Sequence, residues 1–79
     1  MSNQEKRVLD LLYKYPAITA KLAMDKAGIY RLGARIWDLK KAGIPIQDRW
    51  VEEVNRYGEK TRVKQYFLPA EAKHENERT

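Results

Sequence analysis

The side chains in this sequence that could do chemistry are mostly cationic. Sixteen Lys and Arg stand against eleven Asp and Glu, and the net charge is +5. Because three of the acids lie within residues 71–79, residues 1–70 hold 14 Lys and Arg against 8 Asp and Glu. Such a basic body favours a polyanionic partner, nucleic acid before an acidic membrane surface. Ordinary solubility charge is the alternative interpretation.

Catalytic and metal-binding side chains are scarce. The sequence has no cysteine, and its single histidine, His74, lies in a polar stretch. A zinc site needs several Cys, His or carboxylate ligands in a fixed pattern, so we expect no metal and no other cofactor. No Ser/His/Asp set, glycine-rich phosphate loop or pair of carboxylates indicates an active site. We therefore expect a binding module that is not an enzyme and has no small-molecule substrate.

Length and hydropathy restrict the chain further. Its 79 residues are enough for one domain and too few for two. The first residues are polar and no long apolar run follows, so neither a signal peptide nor a membrane span is expected. We expect a cytoplasmic protein that does not associate with membranes.

Two helices are predicted in the first third of the chain. Residues 3–14 carry apolar side chains at helical spacing, and Ser2 begins a capping box ahead of them. A short second helix is expected over residues 20–27, with Thr19 as its N-cap and Gly28 as its left-handed C-terminal cap. At about two turns, this helix depends on packing for its stability.

A third helix is expected over residues 30–42, where Gly43 ends it. Its buried stripe has helical spacing and consists of Ile29, Leu32, Ile36 and Leu39. Only a short turn separates the second helix from the third, and that arrangement is typical of a helix-turn-helix.

Beyond the third helix the sequence pattern changes to that of a β-hairpin. Ile44, Ile46 and Trp50 share one side of an alternating pattern that Asp48 interrupts, and residues 61–68 are rich in β-formers. Residues 55–60 form a polar turn in which Gly58 can adopt a positive φ. We expect Trp50 to cover the core between the hairpin and the helices.

The order of these elements predicts an α+β fold of the winged helix-turn-helix class. Three helices precede a two-stranded antiparallel β-hairpin, and together they occupy residues 1–69. Residues 70–79 have little apolar content, so we expect them to form a polar, flexible C-terminal tail.

Residues 31–46 resemble the recognition helix and first wing strand of a small winged helix-turn-helix family of phages and prophages. The shared pattern is R-L-x-A-R-I-x-D-L, a Gly, an I-x-I or P-I step and a wing ending in Tyr-x-Leu, here residues 66–68. The resemblance extends over roughly residues 5–69. It implies a sequence-specific DNA-binding protein, either a small transcriptional regulator or an excisionase-like recombination accessory factor. Such a protein would act in the nucleoid or in the cytoplasm of a host cell.

The outward face of the third helix is the first candidate DNA-binding surface. Viewed at about 100° per residue from buried Leu32, the opposite side presents Tyr30, Arg31, Ala34, Asp38 and Lys41. We expect this side in the major groove, where small Ala34 lets the backbone approach the bases. Arg31 is placed for a guanine contact and Lys41 for a phosphate contact. A solvated helix face is the alternative.

Two interpretations apply to each of three side chains on this helix, those of Arg35, Trp37 and Asp38. Arg35 and Asp38 belong to the DNA-binding candidates, but their spacing also suits an ion pair within the helix. For Arg35 we prefer this structural role over a DNA contact. Asp38 is expected to pair with an arginine or to accept from a cytosine amine. Trp37 lies at the side of the helix. We prefer a packing role for its ring over a contact with a base, and a half-exposed ring also fits this position.

The predicted hairpin and the start of the second helix supply the remaining candidates. The cations of the hairpin are Arg49, Arg56, Lys60, Arg62 and Lys64. Of these we expect Arg56, Lys60 and Arg62 to contact DNA, together with Tyr57 at the tip. Nearby acids dilute this charge, so a solvated hairpin is the alternative. Thr19 and Lys21 are candidates for phosphate contacts because free amides at a helix N-terminus bind anions.

Double-stranded DNA is thus the expected partner. Specificity from so small a footprint usually requires two copies of a domain, so a homodimer is left open alongside a protein partner. The alternative function is a protein-interaction winged helix, such as a phage-encoded inhibitor or adaptor that uses the same basic face.

Overall fold

This computed structural model describes residues 2–77 and the side chains of residues 2–73. Within these residues, three helices are followed by a β-hairpin and then by a fourth helix. The elements are α1 (Asn3–Lys14), α2 (Ala20–Ala27), α3 (Leu32–Lys41), β1 (Gln47–Val54), β2 (Lys60–Phe67) and α4 (Ala70–Glu77). Among the described residues, no helix has the length and apolar character needed to cross a membrane. The order from α1 to β2 confirms the predicted α+β architecture.

The caps of α1 and α2 form as the sequence predicts. The Ser2 hydroxyl accepts a hydrogen bond from the Glu5 amide at 3.2 Å, and the Thr19 hydroxyl accepts one from the Leu22 amide at 3.2 Å. Gly28 ends α2 with φ +66°, a left-handed conformation that glycine adopts without a Cβ clash. These local contacts fix both helices at the predicted residues.

Helix α3 is shorter than predicted. It begins at Leu32, and Tyr30 and Arg31 lie in the turn before it, where Arg31 is the N-cap with φ −126°. The prediction that both residues lie within the helix was therefore wrong. Buried Ile29 explains the difference, because its amide donates to the Ala23 carbonyl at 3.2 Å and completes the end of α2. The chain then changes direction at Tyr30 and Arg31 before α3 begins.

The core lies where the three helices meet the base of the hairpin. The predicted stripe is confirmed, since Ile29, Leu32, Ile36 and Leu39 are each at most 2% exposed. The other buried side chains are Val8, Leu11, Leu12, Ile18, Ala23, Ile46 and Leu68. All buried residues in the described part of the chain are apolar. The Nε atom of half-buried Arg35 is buried without a hydrogen-bond partner, and its desolvation has a cost.

The hairpin is antiparallel, with Gln47 opposite Phe67 at its base and Val54 opposite Lys60 near its tip. Its base is joined to the helices because Ile18 and Tyr66 exchange two backbone hydrogen bonds of 2.8 Å. β2 therefore lies between β1 and the segment that leads into α2.

Trp50 does not cover the core, and that prediction was wrong. Its side chain is 58% exposed. Ile46 and Leu68, which are 6% and 3% exposed, already close the core at the base of the hairpin. Trp50 lies further along β1, beyond the reach of the core.

Residues 70–77, which belong to the predicted polar, flexible C-terminal tail, form α4. The Ala72 amide donates to the Pro69 carbonyl at 3.0 Å, and the Lys73 ammonium donates to the Tyr15 carbonyl at 3.0 Å. Ala, Glu and Lys have high helix propensity, which outweighs the missing apolar stripe. The flexibility of this segment stays a prediction, and residues 78–79 lie outside the described residues.

Candidate nucleic-acid interface

Within α3 the predicted outward face retains Ala34 and Lys41 as exposed residues, and Trp37, which is also exposed, lies between them. Trp37 is 59% exposed, and the Lys41 ammonium lies 4.5 Å from the centre of its ring. Trp37 was not among the predicted DNA-binding residues. Its position about 140° from Leu32 on the helical wheel is the signal that could have placed it there.

Tyr30 and Arg31 flank this outward face at the N-terminal end of α3. Tyr30 is 78% exposed, and the Arg31 side chain makes no capping hydrogen bond. Their place in the turn still positions them beside the first turn of the helix. In helix-turn-helix proteins it is the N-terminal residues of the recognition helix that contact base edges.

Arg35 and Asp38 form the intrahelical pair that one of the two interpretations expected. The Arg35 Nη2 atom lies 3.2 Å from the Asp38 Oδ2 atom. Both side chains are about one third exposed, so the pair contributes little to stability. Its effect on the surface is local neutralisation, because the Asp38 carboxylate is matched by an adjacent guanidinium.

Strand alternation divides the hairpin cations between two faces. Lys60, Arg62 and Lys64 alternate along β2 and so share one face, the cationic face of the hairpin. Arg49 lies on the other face, where its Nε donates to Gln65 at 3.1 Å and its guanidinium lies 5.0 Å from the centre of the Phe67 ring. The predicted hairpin cations therefore do not act as one group.

The cationic face of the hairpin is turned toward α3. The Lys40 ammonium on α3 lies 3.3 Å from a carboxylate oxygen of Asp48 on β1. Tyr66, which pairs with Asp48 across the strands, brings its hydroxyl within 3.9 Å of the position that a Cβ at Gly33 would occupy. The side chains of Lys60 and Arg62 extend from this same face further toward the tip.

Arg56 and Tyr57 occupy the tip of the hairpin, and both are exposed. The turn is held by Asn55, whose side-chain oxygen accepts hydrogen bonds from the Tyr57 amide at 2.9 Å and the Glu59 amide at 3.0 Å. Since these bonds join the Asn55 side chain to backbone amides, they leave the Arg56 and Tyr57 side chains accessible to a partner.

A groove of about 510 Å³ separates the N-terminus of α2 from the cationic face of the hairpin. It brings together three of the predicted residues, Thr19, Lys21 and Arg62. The hydroxyl of Thr19 is already engaged as the α2 cap, so its contribution to a partner is through the helix end it orders. Lys21 and Arg62 are exposed.

A family model described as a winged helix-turn-helix domain matches residues 3–71 of the chain. The match begins with α1, includes α2, α3 and the hairpin, and ends in the first turn of α4. No curated protein matches the sequence.

Proposed function

The chain belongs to the winged helix-turn-helix domain family, and from that premise we propose that it binds duplex DNA in a sequence-specific manner. α3 enters the major groove, and the hairpin follows the sugar–phosphate backbone beside it. The resemblance of residues 31–46 to phage and prophage proteins supports a finer role. That role is a small transcriptional regulator or a recombination accessory factor.

The cationic face of the hairpin is the observation that carries this proposal. Lys60, Arg62 and Lys64 project on the side of the hairpin that is joined to α3. A helix in the major groove has a phosphate backbone on each side of it, so a duplex bound by α3 brings one strand against these cations. Arg56 at the tip extends the same contact.

The outward face of α3 supports insertion into the groove. Ala34 adds almost no bulk at its centre, so the helix backbone can approach the bases, and its methyl group suits a thymine methyl. Arg31 at the N-terminal end is positioned for the bidentate contact that arginine makes with guanine. Lys41 at the other end is positioned for a phosphate.

The other predicted residues take supporting roles in this arrangement. Lys21 and the α2 end capped by Thr19 contact a phosphate. Tyr30 and Tyr57 border the interface at the α3 turn and the hairpin tip. The Arg35–Asp38 pair borders the outward face, where Arg35 holds Asp38 in a position from which it can accept from a cytosine amine.

A salt titration with a matched pair of variants tests the proposal. Affinity for a fluorescent duplex should fall with salt at a log–log slope of roughly −4 to −6, which corresponds to about five or six phosphate contacts. Ala34→Glu places a carboxylate at the centre of the outward face and should abolish binding. Ala70→Glu makes the same change at an exposed residue of α4 and should leave binding intact. Both variants should melt near the parent temperature, since both sites are exposed.

A protein-interaction module is the second candidate, and the exposed aromatic rings of Tyr30 and Trp37 favour it. Such a module would use the basic face against an acidic protein. Absence of duplex binding even at low salt, or binding without salt dependence, would contradict DNA recognition and leave this second function.

A further inference from the structure

Trp50 is an exposed indole that lies outside the core. It contributes nothing to the core, yet 58% of the residue is exposed to solvent on β1. It lines the groove between the α2 N-terminus and the hairpin, together with Lys21, Gly33 and Tyr66. A large apolar ring left in water at a concave site is typical of a binding surface.

Cations surround this ring. The Arg62 guanidinium carbon and the Lys64 ammonium each lie 5.5 Å from the centre of the Trp50 ring. Lys21 also lines the groove, and Glu53 is the acid among its lining residues. Lys64 is also 3.8 Å from Asp48, and Arg62 stands opposite Glu52 across the strands. Lys21 and Arg62 are nevertheless the lining cations that make no ion pair with a described acid, so they are the ones offered to an incoming anion.

We propose that this groove is a seat for the sugar–phosphate backbone of one DNA strand. A deoxyribose packs on the Trp50 indole, and the phosphates on either side of it contact Lys21 and Arg62. The inference rests on the proposed duplex binding and assigns it a contact at Trp50 that neither charge nor family membership supplies. Alternation of an apolar sugar ring with anionic phosphates is the chemical pattern that an indole between cations complements.

The position of the groove explains why it takes backbone rather than bases. The outward face of α3 points away from the core, whereas Gly33 lies at about 100° to that core direction and opens into the groove. A duplex whose major groove receives Ala34 and Trp37 therefore has a strand of backbone on the Gly33 side of the helix. Gly33 adds no side chain of its own on this path, and the nearest side-chain atom to a Cβ at that position would be the Tyr66 hydroxyl at 3.9 Å.

Fluorescence can observe this contact directly, because the chain has two tryptophans. Trp37→Phe leaves Trp50 as the single reporter, and Trp50→Phe leaves Trp37. Acrylamide quenching of each variant is measured with and without a saturating 20-base-pair duplex, while anisotropy of the labelled duplex confirms binding in the same samples. Duplex should lower the quenching constant of Trp50 to roughly half or less, because a packed sugar excludes the quencher.

Matched substitutions provide the energetic test. Trp50→Ala should weaken duplex binding roughly five- to tenfold. Val54→Ala, which removes an exposed apolar side chain from the same strand face nearer the tip, should change it less than about twofold. Arg62→Gln should reduce the magnitude of the salt slope by about one, whereas Arg49→Gln on the opposite face should not. Thermal melts verify that each variant is folded.

Two results would overturn the assignment while leaving the proposed function in place. The first is a duplex that binds by anisotropy while Trp50 stays open to acrylamide and Trp50→Ala binds as tightly as the parent. The second is protection of Trp50 by poly-L-glutamate as complete as that given by duplex, which would make the groove a site for acidic protein. Failure of the parent protein to bind duplex at all would instead overturn the proposed function itself.

Discussion

The ammonium of Lys40 on α3 lies 3.3 Å from the carboxylate of Asp48 on β1, and this contact joins the recognition helix to the hairpin. The second carboxylate oxygen lies 3.8 Å from the ammonium of Lys64 on β2. One acid thus connects three elements, and it sits between two cations that a phosphate backbone would otherwise attract. Its contribution to stability is small because all three groups are partly exposed. Because it links α3 to both strands, Asp48 orients the hairpin relative to α3.

The first prediction concerns that acid. Asp48→Asn should change the free energy of unfolding by less than about 1 kcal/mol. It should tighten binding to a scrambled duplex at low salt, because Lys40 and Lys64 lose their counter-charge. It should also reduce discrimination between a selected site and the scrambled duplex, since the hairpin is held less firmly against α3. Urea unfolding and anisotropy titrations on both duplexes measure these effects.

Glu52→Gln is the matched control for Asp48→Asn. It removes the same charge from the same strand, at an exposed residue paired across the hairpin with Arg62. It should tighten binding to both duplexes by similar factors. An equal loss of discrimination in the two variants would show that charge alone is responsible and that the contact between Lys40 and Asp48 does not orient the hairpin.

Asp48 also illustrates what the sequence could not supply. The caps at Ser2, Thr19 and Gly28 were predictable because each depends on residues no more than five positions away. The Asp48 carboxylate instead finds partners eight and sixteen residues away, on α3 and β2. Only the folded arrangement of helix and hairpin brings those groups together.

The two positional errors have a common cause. A periodic apolar pattern in the sequence can continue beyond the residue at which tertiary contacts end a helix or the buried part of a strand. The apolar stripe of α3 includes Ile29, so the pattern placed Tyr30 and Arg31 inside the helix although Gly28 and Ile29 still belong to the end of α2. Alternation in β1 likewise assigned Trp50 to the core side, but Ile46 and Leu68 complete the core before the strand reaches it.

The core prediction is tested at Leu39, which is fully buried. Leu39→Ala should lower the free energy of unfolding by ~2–5 kcal/mol, because it loses buried apolar surface and leaves a cavity. Met24→Ala, at a residue 46% exposed on α2, should cost less than ~1 kcal/mol. Urea denaturation of the two variants measures both values. Similar denaturation midpoints for Leu39→Ala and the parent would contradict a core centred on this residue.

Two glycines should respond in opposite directions to the same substitution. Gly28 has φ +66°, so Gly28→Ala should destabilise the fold by ~1–2 kcal/mol through backbone strain, although no atom lies within 4 Å of the new Cβ. Gly33 is helical, and its Cβ would meet only the Tyr66 hydroxyl at 3.9 Å. Gly33→Ala should therefore stabilise the fold by ~0.5 kcal/mol. Thermal melts of the two variants give the signs, and destabilisation by Gly33→Ala would mean that Tyr66 lies closer to α3 than this geometry has it.

The final prediction concerns how sequence reading and backbone binding divide between α3 and the hairpin. Arg31 lies at the start of α3, whose first turn is fixed by buried Leu32, so its guanidinium can be held against one base edge. Arg31→Ala should therefore cost ~1–3 kcal/mol on a selected site and less on a scrambled duplex. Arg56 and Lys60 lie at the far end of the hairpin, away from its attachment at Ile18 and Asp48, and suit the sequence-independent backbone.

Combined Arg56→Ala and Lys60→Ala substitution should accordingly weaken binding to both duplexes by similar factors and reduce the magnitude of the salt slope by about two. Anisotropy titrations of the parent, Arg31→Ala and the hairpin pair, each on both duplexes at several salt concentrations, separate the two contributions. If the hairpin pair removes discrimination while Arg31→Ala retains it, the hairpin reads the sequence. The N-terminus of α3 would then contact only the DNA backbone. Substitution of a residue that reads bases must change the ratio between the affinities for the selected and the scrambled duplex.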